Sequence, residues 1–260
     1  MDTNSDSRLK VLFLGTGGSF GVPMLGCDCV VCTSDDPRDN RLRTSALLSF
    51  DGRNVLIDAS PDLRTQALTY GISTLDAVLF THDHADHTFG VDDLRAYNLR
   101  RRGRLPCYGD AATLASIRER FNYIFSSTPA LGSRPRLDLC EVDGPFDLWG
   151  RTIIPLDVYH GDQTITSYRI GDFGYITDAS ALPDVTIETL RGVRYLALNA
   201  LRHEPHPLHL NLSEAQEVAA IIGAETTYLL HLGHEVGHRV VSDELSDGVE
   251  LAYDGLTLEV

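Results

Sequence analysis

The chain contains 260 residues, of which 43% are hydrophobic and 23% charged, a composition that argues against a largely disordered protein. Its 22 Lys and Arg residues against 37 Asp and Glu residues give a formal net charge of −15, which disfavours stable binding to nucleic acid or to an anionic membrane. No run approaches the ~18 apolar residues of a membrane-spanning helix, and the N-terminus lacks a signal-peptide core. We therefore expect a cytoplasmic protein without a membrane partner.

Short apolar runs bounded by Gly, Asp or Pro predict the strands. In chain order they are 10–14, 45–50, 54–58, 77–81, 152–159, 164–170, 175–177, 194–198, 226–230 and part of 252–260. Three helices are predicted among them, after residue 60, over 111–125 and over 213–222. This alternation predicts an α/β layered fold. We expect a single domain over residues 1–260, with 1–8 as a disordered tail and 111–135 forming part of a pocket wall.

Polar side chains predict where two of these helices begin. Ser60 can cap the first, because Pro61 suits its first turn and Gly71 can end it. Ser213 and Gln216 have the spacing of a capping box for the third helix.

Four potential metal ligands follow directly after the apolar run 77–80. They are His82, His84, Asp86 and His87, and this mixture of imidazole and carboxylate suits Zn²⁺, Mn²⁺ or Fe²⁺. A turn after a strand can direct His82 and His84 at one metal and Asp86 and His87 at a second. Two metals ~3.5–4 Å apart form the clamp of many hydrolytic and phosphoryl-transfer sites. The alternative is a solvated polar loop.

The pattern His-x-His-x-Asp-His at residues 82–87 resembles the hallmark of the metallo-β-lactamase superfamily. The resemblance implies an αββα sandwich with two metals at one edge. It implies that His160 binds the first metal, that Asp178 bridges both, and that His231 binds the second. It also implies that Asp58 braces the ligand loop from outside the metal shell.

Three of the five cysteines are crowded at Cys27, Cys29 and Cys32. An odd number of cysteines with this crowding favours metal ligation over disulfides. Thiolates at C-x-C-x-x-C spacing suit a structural tetrahedral Zn²⁺, for which His234 is the candidate fourth ligand. A reactive or redox cysteine cluster is the alternative.

Residues 16–23, followed by the cysteine cluster, resemble the start of PhnP-type enzymes, which are phosphodiesterases that open 5-phosphoribosyl 1,2-cyclic phosphate. The resemblance implies a Cys₃His zinc beside the two-metal site and a homodimer. It also implies that His209 is the general acid, with His206 and His203 as rivals on the same loop. The cysteine motif also occurs in the B protein of pyrroloquinoline quinone biosynthesis, in which the two-metal motif is generally degraded.

The expected function is hydrolysis of a small, cyclic or nucleotide phosphodiester with two Mn²⁺ or Zn²⁺ ions and a metal-bound hydroxide. Asp86, Asp178 and His209 are the predicted catalytic side chains. The competing functions are tRNA 3′-processing endonuclease, thioester or β-lactam hydrolase, and a non-catalytic metal-binding or cofactor-biosynthesis protein. A basic patch at 100–102 with Arg104 could attract a terminal phosphate or face water.

Overall fold

The computed structural model describes residues 8–100, 103–127 and 132–260. Residues 1–7 of the predicted tail, two arginines of the basic patch (101–102) and part of the predicted pocket wall (128–131) lie outside this range. Within it, the strands are β1 (Lys10–Gly15), β2 (Ser45–Phe50), β3 (Arg53–Ile57), β4 (Ala77–Leu79), β5 (Leu105–Gly109), β6 (Leu137–Glu141), β7 (Phe146–Leu148), β8 (Arg151–His160), β9 (Gln163–Ile170), β10 (Phe173–Ile176), β11 (Tyr195–Asn199), β12 (Thr226–Leu230), β13 (Val249–Leu251) and β14 (Thr257–Glu259). The α-helices are α1 (Leu63–Thr69), α2 (Ala85–Thr88), α3 (Arg95–Asn98), α4 (Ala111–Arg120), α5 (Asn122–Phe125), α6 (Asp184–Leu190), α7 (Leu212–Ile222) and α8 (His238–Ser242).

The strands form two seven-stranded sheets, each antiparallel in one part and parallel in the other. The first has the order β14-β1-β2-β3-β4-β5-β6, and the second has the order β13-β12-β11-β10-β9-β8-β7. Pairing is parallel from β3 to β6 and from β10 to β13. Loops that follow parallel neighbours emerge at the same sheet edge, where α/β folds place their functional sites.

The inner faces of the sheets pack against each other, and helices cover both outer faces. Phe13 and Ile57 of the first sheet lie in one fully buried cluster with Tyr168 and Phe173 of the second. Leu63 in α1 and other helical residues cover the first sheet, while α7 and α8 cover the second. This arrangement confirms the predicted αββα sandwich.

One buried tyrosine connects the sheets beside the predicted metal loop. The Tyr168 hydroxyl donates to the Phe80 carbonyl at 2.7 Å, and the Thr166 N–H donates to the Thr81 carbonyl at 3.0 Å. Since these carbonyls immediately precede His82, the second sheet holds the start of the ligand loop.

The ten predicted strand regions all contain strands, and β12 agrees with its prediction at both ends. β5, β6, β7 and β13 were not predicted, because they are short and are interrupted by Pro, Asp or Glu. The predicted helix 111–125 is broken at Phe121 into α4 and α5. No helix in the described part of the chain has the length and apolar character needed to cross a membrane.

Both predicted capping residues were wrong. α1 begins at Leu63, and the Ser60 hydroxyl instead accepts from the Asp62 N–H in the preceding turn. α7 begins at Leu212 with a capping box formed by Asn211 and Glu214, two residues before the predicted one. Each Asn211–Glu214 bond is 2.9 Å long. The spacing of polar residues along the sequence fits a helix that begins after Asn211 or after Ser213. The extended backbone of Asn211 makes it the capping residue.

Candidate metal centre

The predicted ligands converge because their strands end at one edge of the sandwich. His82 follows β4, His160 ends β8, and His231 follows β12. Asp178 and His231 have φ values of 58°, and Asp58 after β3 has a φ of 60°. The left-handed region costs roughly 1–2 kcal/mol for a residue with a side chain, so tertiary contacts hold these sharp turns in place.

Asp178 lies at the centre of the cluster. Its Oδ2 is 3.1 Å from His87 Nε2, and its Oδ1 is 3.3 Å from His231 Nε2. Asp86 Oδ2 is 3.4 Å from the same His87 nitrogen. These four residues can each offer one ligand atom within 4.8 Å of the others. The geometry therefore provides two carboxylates and two imidazoles around one position that could hold a cation.

A second group of imidazoles lies beside the first. The ring centroids of His82 and His84 are 4.6 Å apart, and those of His84 and His160 are 5.1 Å apart. His160 also has a ligand atom within 4.8 Å of Asp178. Asp178 is thus adjacent to both groups.

Buried imidazole nitrogens show that the residues fit divalent metals. The Nε2 atoms of His82, His87, His160 and His231 are buried and have no well-directed hydrogen bond within the described structure. A buried imidazole nitrogen without a partner carries a desolvation penalty, which coordination of a metal would remove. Imidazole and carboxylate are suitable ligands for Zn²⁺ and Mn²⁺.

The opposite nitrogen of each of these rings is held by the protein. His87 Nδ1 is 2.7 Å from Asp58 Oδ2, and His160 Nδ1 is 2.6 Å from the Asp178 carbonyl. Such contacts at Nδ1 fix the orientation of both rings.

Hydroxyl groups hold the other two rings. His82 Nδ1 is 3.0 Å from Thr81 Oγ1, and His231 Nδ1 is 3.2 Å from Thr44 Oγ1. The Thr44 hydroxyl donates to the Gly17 carbonyl at 2.9 Å, so it can accept from His231. Our sequence analysis missed Thr44 because it belongs to no local motif and reaches His231 only through the fold.

Asp58 is fully buried and accepts hydrogen bonds from the ligand loop. It receives the Thr81 N–H at 2.8 Å and the Thr81 hydroxyl at 2.7 Å, in addition to contacting His87. Burial raises the pKa of Asp58, against the opposing effect of His87. These contacts place Asp58 directly behind the ligand loop.

The electrostatics of the inner residues favour a cation. Burial acts to raise the pKa of Asp178, but His231 and His87 hold it well below its usual range. Burial acts to lower the pKa of His87, but Asp178, Asp86 and Asp58 hold it well above its usual value. The carboxylates that raise the pKa of His87 would also attract a metal ion at this position.

His209 reaches the same cluster from the loop before α7. Its ring is 5.0 Å from the His160 ring and 5.0 Å from the His231 ring, and its Nδ1 is 3.6 Å from Asp178 Oδ1. Burial, with His231, lowers the pKa of His209 to about 3. The ring of His206 lies 5.0 Å from His209, at the more exposed side. His203 is exposed and lines a cavity beside α7 and α8, so the structure does not bring this rival to the cluster.

The three clustered cysteines and His234 form a separate group. Cys27 Sγ and Cys29 Sγ lie 3.3 and 3.5 Å from His234 Nδ1, and the four ligand atoms lie within 4.8 Å of one another. The Cys32 N–H lowers the pKa of Cys29 to about 6, which favours the thiolate that binds metal. The set fits a tetrahedral Cys₃His site.

Helix α4 contacts the ligand loop at a residue that our sequence analysis gave no role. Asp83 Oδ2 accepts from the Ser116 hydroxyl at 2.5 Å and from Arg120 Nη2 at 2.7 Å. Arg120 also donates to the Asp83 carbonyl. The predicted pocket wall is therefore in direct contact with the His82–His87 segment.

Comparisons with known proteins agree with this geometry. A family model described as a beta-lactamase superfamily domain matches residues 53–232. A solved structure described as a new diphosphatase from the PhnP family is 41% identical, covers 97% of both chains, and has a TM-score of 0.92. Zn²⁺-bound PqqB from Methylobacterium extorquens is similar in fold, with 20% identity, 96% and 100% coverage and a TM-score of 0.78.

A curated relative is longer than this chain. The octanoyltransferase of Porphyromonas gingivalis is 42% identical over 253 residues, which are 95% of this chain and 51% of that protein. The chain thus spans about half the length of that relative. The family match covers most of the chain, and the PhnP-family structure matches nearly all of it. The chain belongs to the metallo-β-lactamase superfamily and groups within it with the PhnP family.

Proposed function

We propose that the chain hydrolyses a small phosphodiester, cyclic or nucleotide-derived, at a centre for two divalent metals. The observation that carries this proposal is the position of Asp178 beside two groups of imidazoles, among which the Nε2 atoms of His82 and His160 are buried without a hydrogen bond. His82, His84 and His160 would hold one metal, and Asp86, His87 and His231 the other, with Asp178 shared. Mn²⁺ and Zn²⁺ are the candidate ions.

Bound metals would neutralise phosphoryl charge and lower the pKa of a water molecule at the centre. The protein keeps the imidazoles in place through Thr44, Thr81 and Asp58. This preorganisation limits the rearrangement needed during reaction. Asp86 and Asp178 supply the carboxylates that balance the cationic charge.

His209 is our candidate for the proton donor to the leaving oxygen. Its ring is buried beside Asp178 and has an unpartnered Nδ1. Burial, with His231, lowers the pKa of His209 to about 3, and an anionic phosphodiester beside the ring would act in the opposite direction.

We also propose that Cys27, Cys29, Cys32 and His234 hold a structural Zn²⁺. The half-buried thiols surround one imidazole nitrogen. Structural zinc stabilises the fold directly, because its binding free energy contributes to folding.

A diphosphate is a second candidate substrate. The PhnP-family structure with 41% identity is described as a diphosphatase. Cleavage of a P–O–P bridge attacks the same type of phosphorus centre, but the leaving phosphate needs less help from a proton donor than an alkoxide does. Dependence on His209 should therefore distinguish the two substrate classes.

An octanoyl thioester is a third candidate, because the longer relative with 42% identity is named an octanoyltransferase. This chain matches only about half of that protein, so the transferase activity can belong to the other half. Hydrolysis of octanoyl-coenzyme A tests the candidate directly.

The deciding experiment compares three substrates with purified protein in Mn²⁺ or Zn²⁺ buffer. They are bis(p-nitrophenyl) phosphate, a diphosphate-bridged dinucleotide and octanoyl-coenzyme A. We expect turnover of the phosphodiester by protein with about three metals per chain, and loss of metal and turnover in Asp178→Ala. Turnover of only the dinucleotide or only the thioester would replace our proposal with that candidate. Full metal content without turnover of any of them would contradict it.

A further inference from the structure

A cavity of about 700 Å³ beside α4 is lined by an unusual concentration of arginines. Its volume lies within the ~300–1,000 Å³ of typical ligand pockets. The chain has a net charge of −15, yet among the residues that the structure describes, Asp138 is the only carboxylate that lines the cavity, and it is paired with an arginine. The lining arginines are Arg95, Arg104, Arg118, Arg134 and Arg136.

Two of these guanidinium groups keep their charge uncompensated. Arg118 lies over the ring of Phe125 at 4.7 Å, and Arg134 donates to the Tyr123 carbonyl at 2.8 Å. Neither forms an ion pair with a carboxylate in residues 8–100, 103–127 or 132–260. Neutral partners orient these side chains without cancelling their charge. They therefore remain available for a bidentate contact with an anion.

The other three lining arginines also have partners. Arg95 pairs with Asp92 and Arg104 pairs with Asp138, both near the surface. Arg136 Nη2 donates to the Asn98 carbonyl at 2.8 Å. Arg118 and Arg134 therefore leave an excess of positive charge in the cavity, which attracts small ions of opposite charge.

The cavity lies on the side of α4 away from the metal centre. Ser116 and Arg120 contact Asp83 in the metal loop. Arg118 lies between them in sequence, about 200° from each around the helix, and it lines the cavity. None of the candidate metal ligands lines this cavity. A phosphoryl group at the metal centre would therefore not occupy it.

We propose that this cavity binds the phosphate group of a phosphorylated small molecule at a site separate from the metal centre. Arg118 and Arg134 make the charged contacts. Planar guanidinium groups match the oxygens of a phosphate dianion. The bound phosphate group belongs either to a second small molecule or to the distal end of a long substrate that extends from the metal centre around α4.

The test measures binding of inorganic phosphate to the metal-loaded protein by calorimetry, and compares two charge-matched double variants. Arg118→Gln with Arg134→Gln removes the cavity charges. Arg64→Gln with Arg239→Gln removes two exposed charges from α1 and α8. We expect the first pair to weaken one binding event at least ten-fold and the second pair to leave it unchanged. Equal weakening by both pairs, or none by either, would overturn the proposal.

A labelling experiment on the unmodified protein distinguishes this site from the metal centre. Phenylglyoxal reacts with accessible arginines, and peptide mass spectrometry locates the products. Phosphate should protect Arg118 and Arg134, but not Arg64, and this protection should persist in Asp178→Ala. Absence of protection, or its loss in Asp178→Ala, would assign phosphate binding to the metal centre alone and refute the cavity site. If the substrate of the metal centre also protects Arg118 and Arg134, the bound phosphate is a distal group of that substrate. If that substrate gives no protection, the phosphate belongs to a second molecule.

Discussion

Arg41 and Asp39 form a buried ion pair beside the turn that joins the two metal-ligand groups. Arg41 Nη2 is 3.0 Å from Asp39 Oδ1, and the Arg41 side chain is fully buried. Arg41 Nη1 also donates to the carbonyl of Gly233 at 3.4 Å, and Gly233 lies between His231 and His234. The pair therefore supports the loop that carries both His231 and His234 from one position.

Arg41→Met should destabilise the protein by about 3–5 kcal/mol, because it leaves the buried Asp39 carboxylate unpaired. Urea unfolding measures the change, and metal analysis should show loss from the cysteine cluster. Arg191→Met is the control, since Arg191 and Glu188 form an exposed pair. Equal free energies of unfolding for the two variants would contradict the structural role of Arg41.

Asp58→Asn should lower metal affinity or activity by roughly 10–100-fold. The amide presents a donor where Thr81 and His87 both need an acceptor. Metal titration and turnover measure the effect. Asp51→Asn provides a matched control, because Asp51 also has a positive φ but is exposed in the β2–β3 turn. Unchanged metal affinity and turnover in Asp58→Asn would show that the contacts of Asp58 with Thr81 and His87 do not contribute to function.

His209→Ala should retain its metals and lose roughly 10²–10⁴-fold in turnover of substrates with alkoxide leaving groups. The loss should be smaller with p-nitrophenolate, which leaves without a proton. Steady-state kinetics over a series of leaving groups measures this difference. His203→Ala, at an exposed position, should behave as wild type. The same loss for all leaving groups would exclude proton donation by His209.

Cys29→Ser should release the metal of the cysteine cluster and lower the melting temperature, because one of four ligands is lost. Zinc content and thermal unfolding are measured on the same preparation. Cys140→Ser, at a half-buried cysteine outside the cluster, is the control. Unchanged zinc content in Cys29→Ser would argue against ligation by this thiol.

His238→Phe should reduce the loss of stability in mild acid. Burial, with Arg38 and Arg41, lowers the pKa of His238 to about 4. Between pH 4 and about 6.5 the unfolded chain therefore binds a proton that the folded chain does not, so stability falls as pH falls. Removing the imidazole should recover about 1–3 kcal/mol near pH 4.

Urea unfolding across pH 4–8 measures this effect as a difference between variants. The exposed His203→Phe is the control and should follow wild type at every pH. If the free energy of unfolding changes with pH in the same way for His238→Phe and wild type, His238 does not contribute to the acid sensitivity of the fold.

The sequence alone was sufficient to predict the sandwich fold and the residues that gather at its edge. His82, His84, Asp86 and His87 fall within six residues, and Cys27, Cys29 and Cys32 within another six, so local spacing reveals both clusters. β12 was predicted at both ends because its apolar run is almost completely buried and ends at a turn. These patterns can be recognised because the residues that form them are close together in the sequence.

Tertiary structure decided what supports these clusters. Thr44 contacts His231 across 187 positions, and Arg41 contacts Gly233 across 192. The arginine cavity likewise combines residues from α3, α4 and the segment before β6. Such contacts cannot be predicted from spacing along the chain, because they form only when the two sheets pack and bring distant loops to one edge.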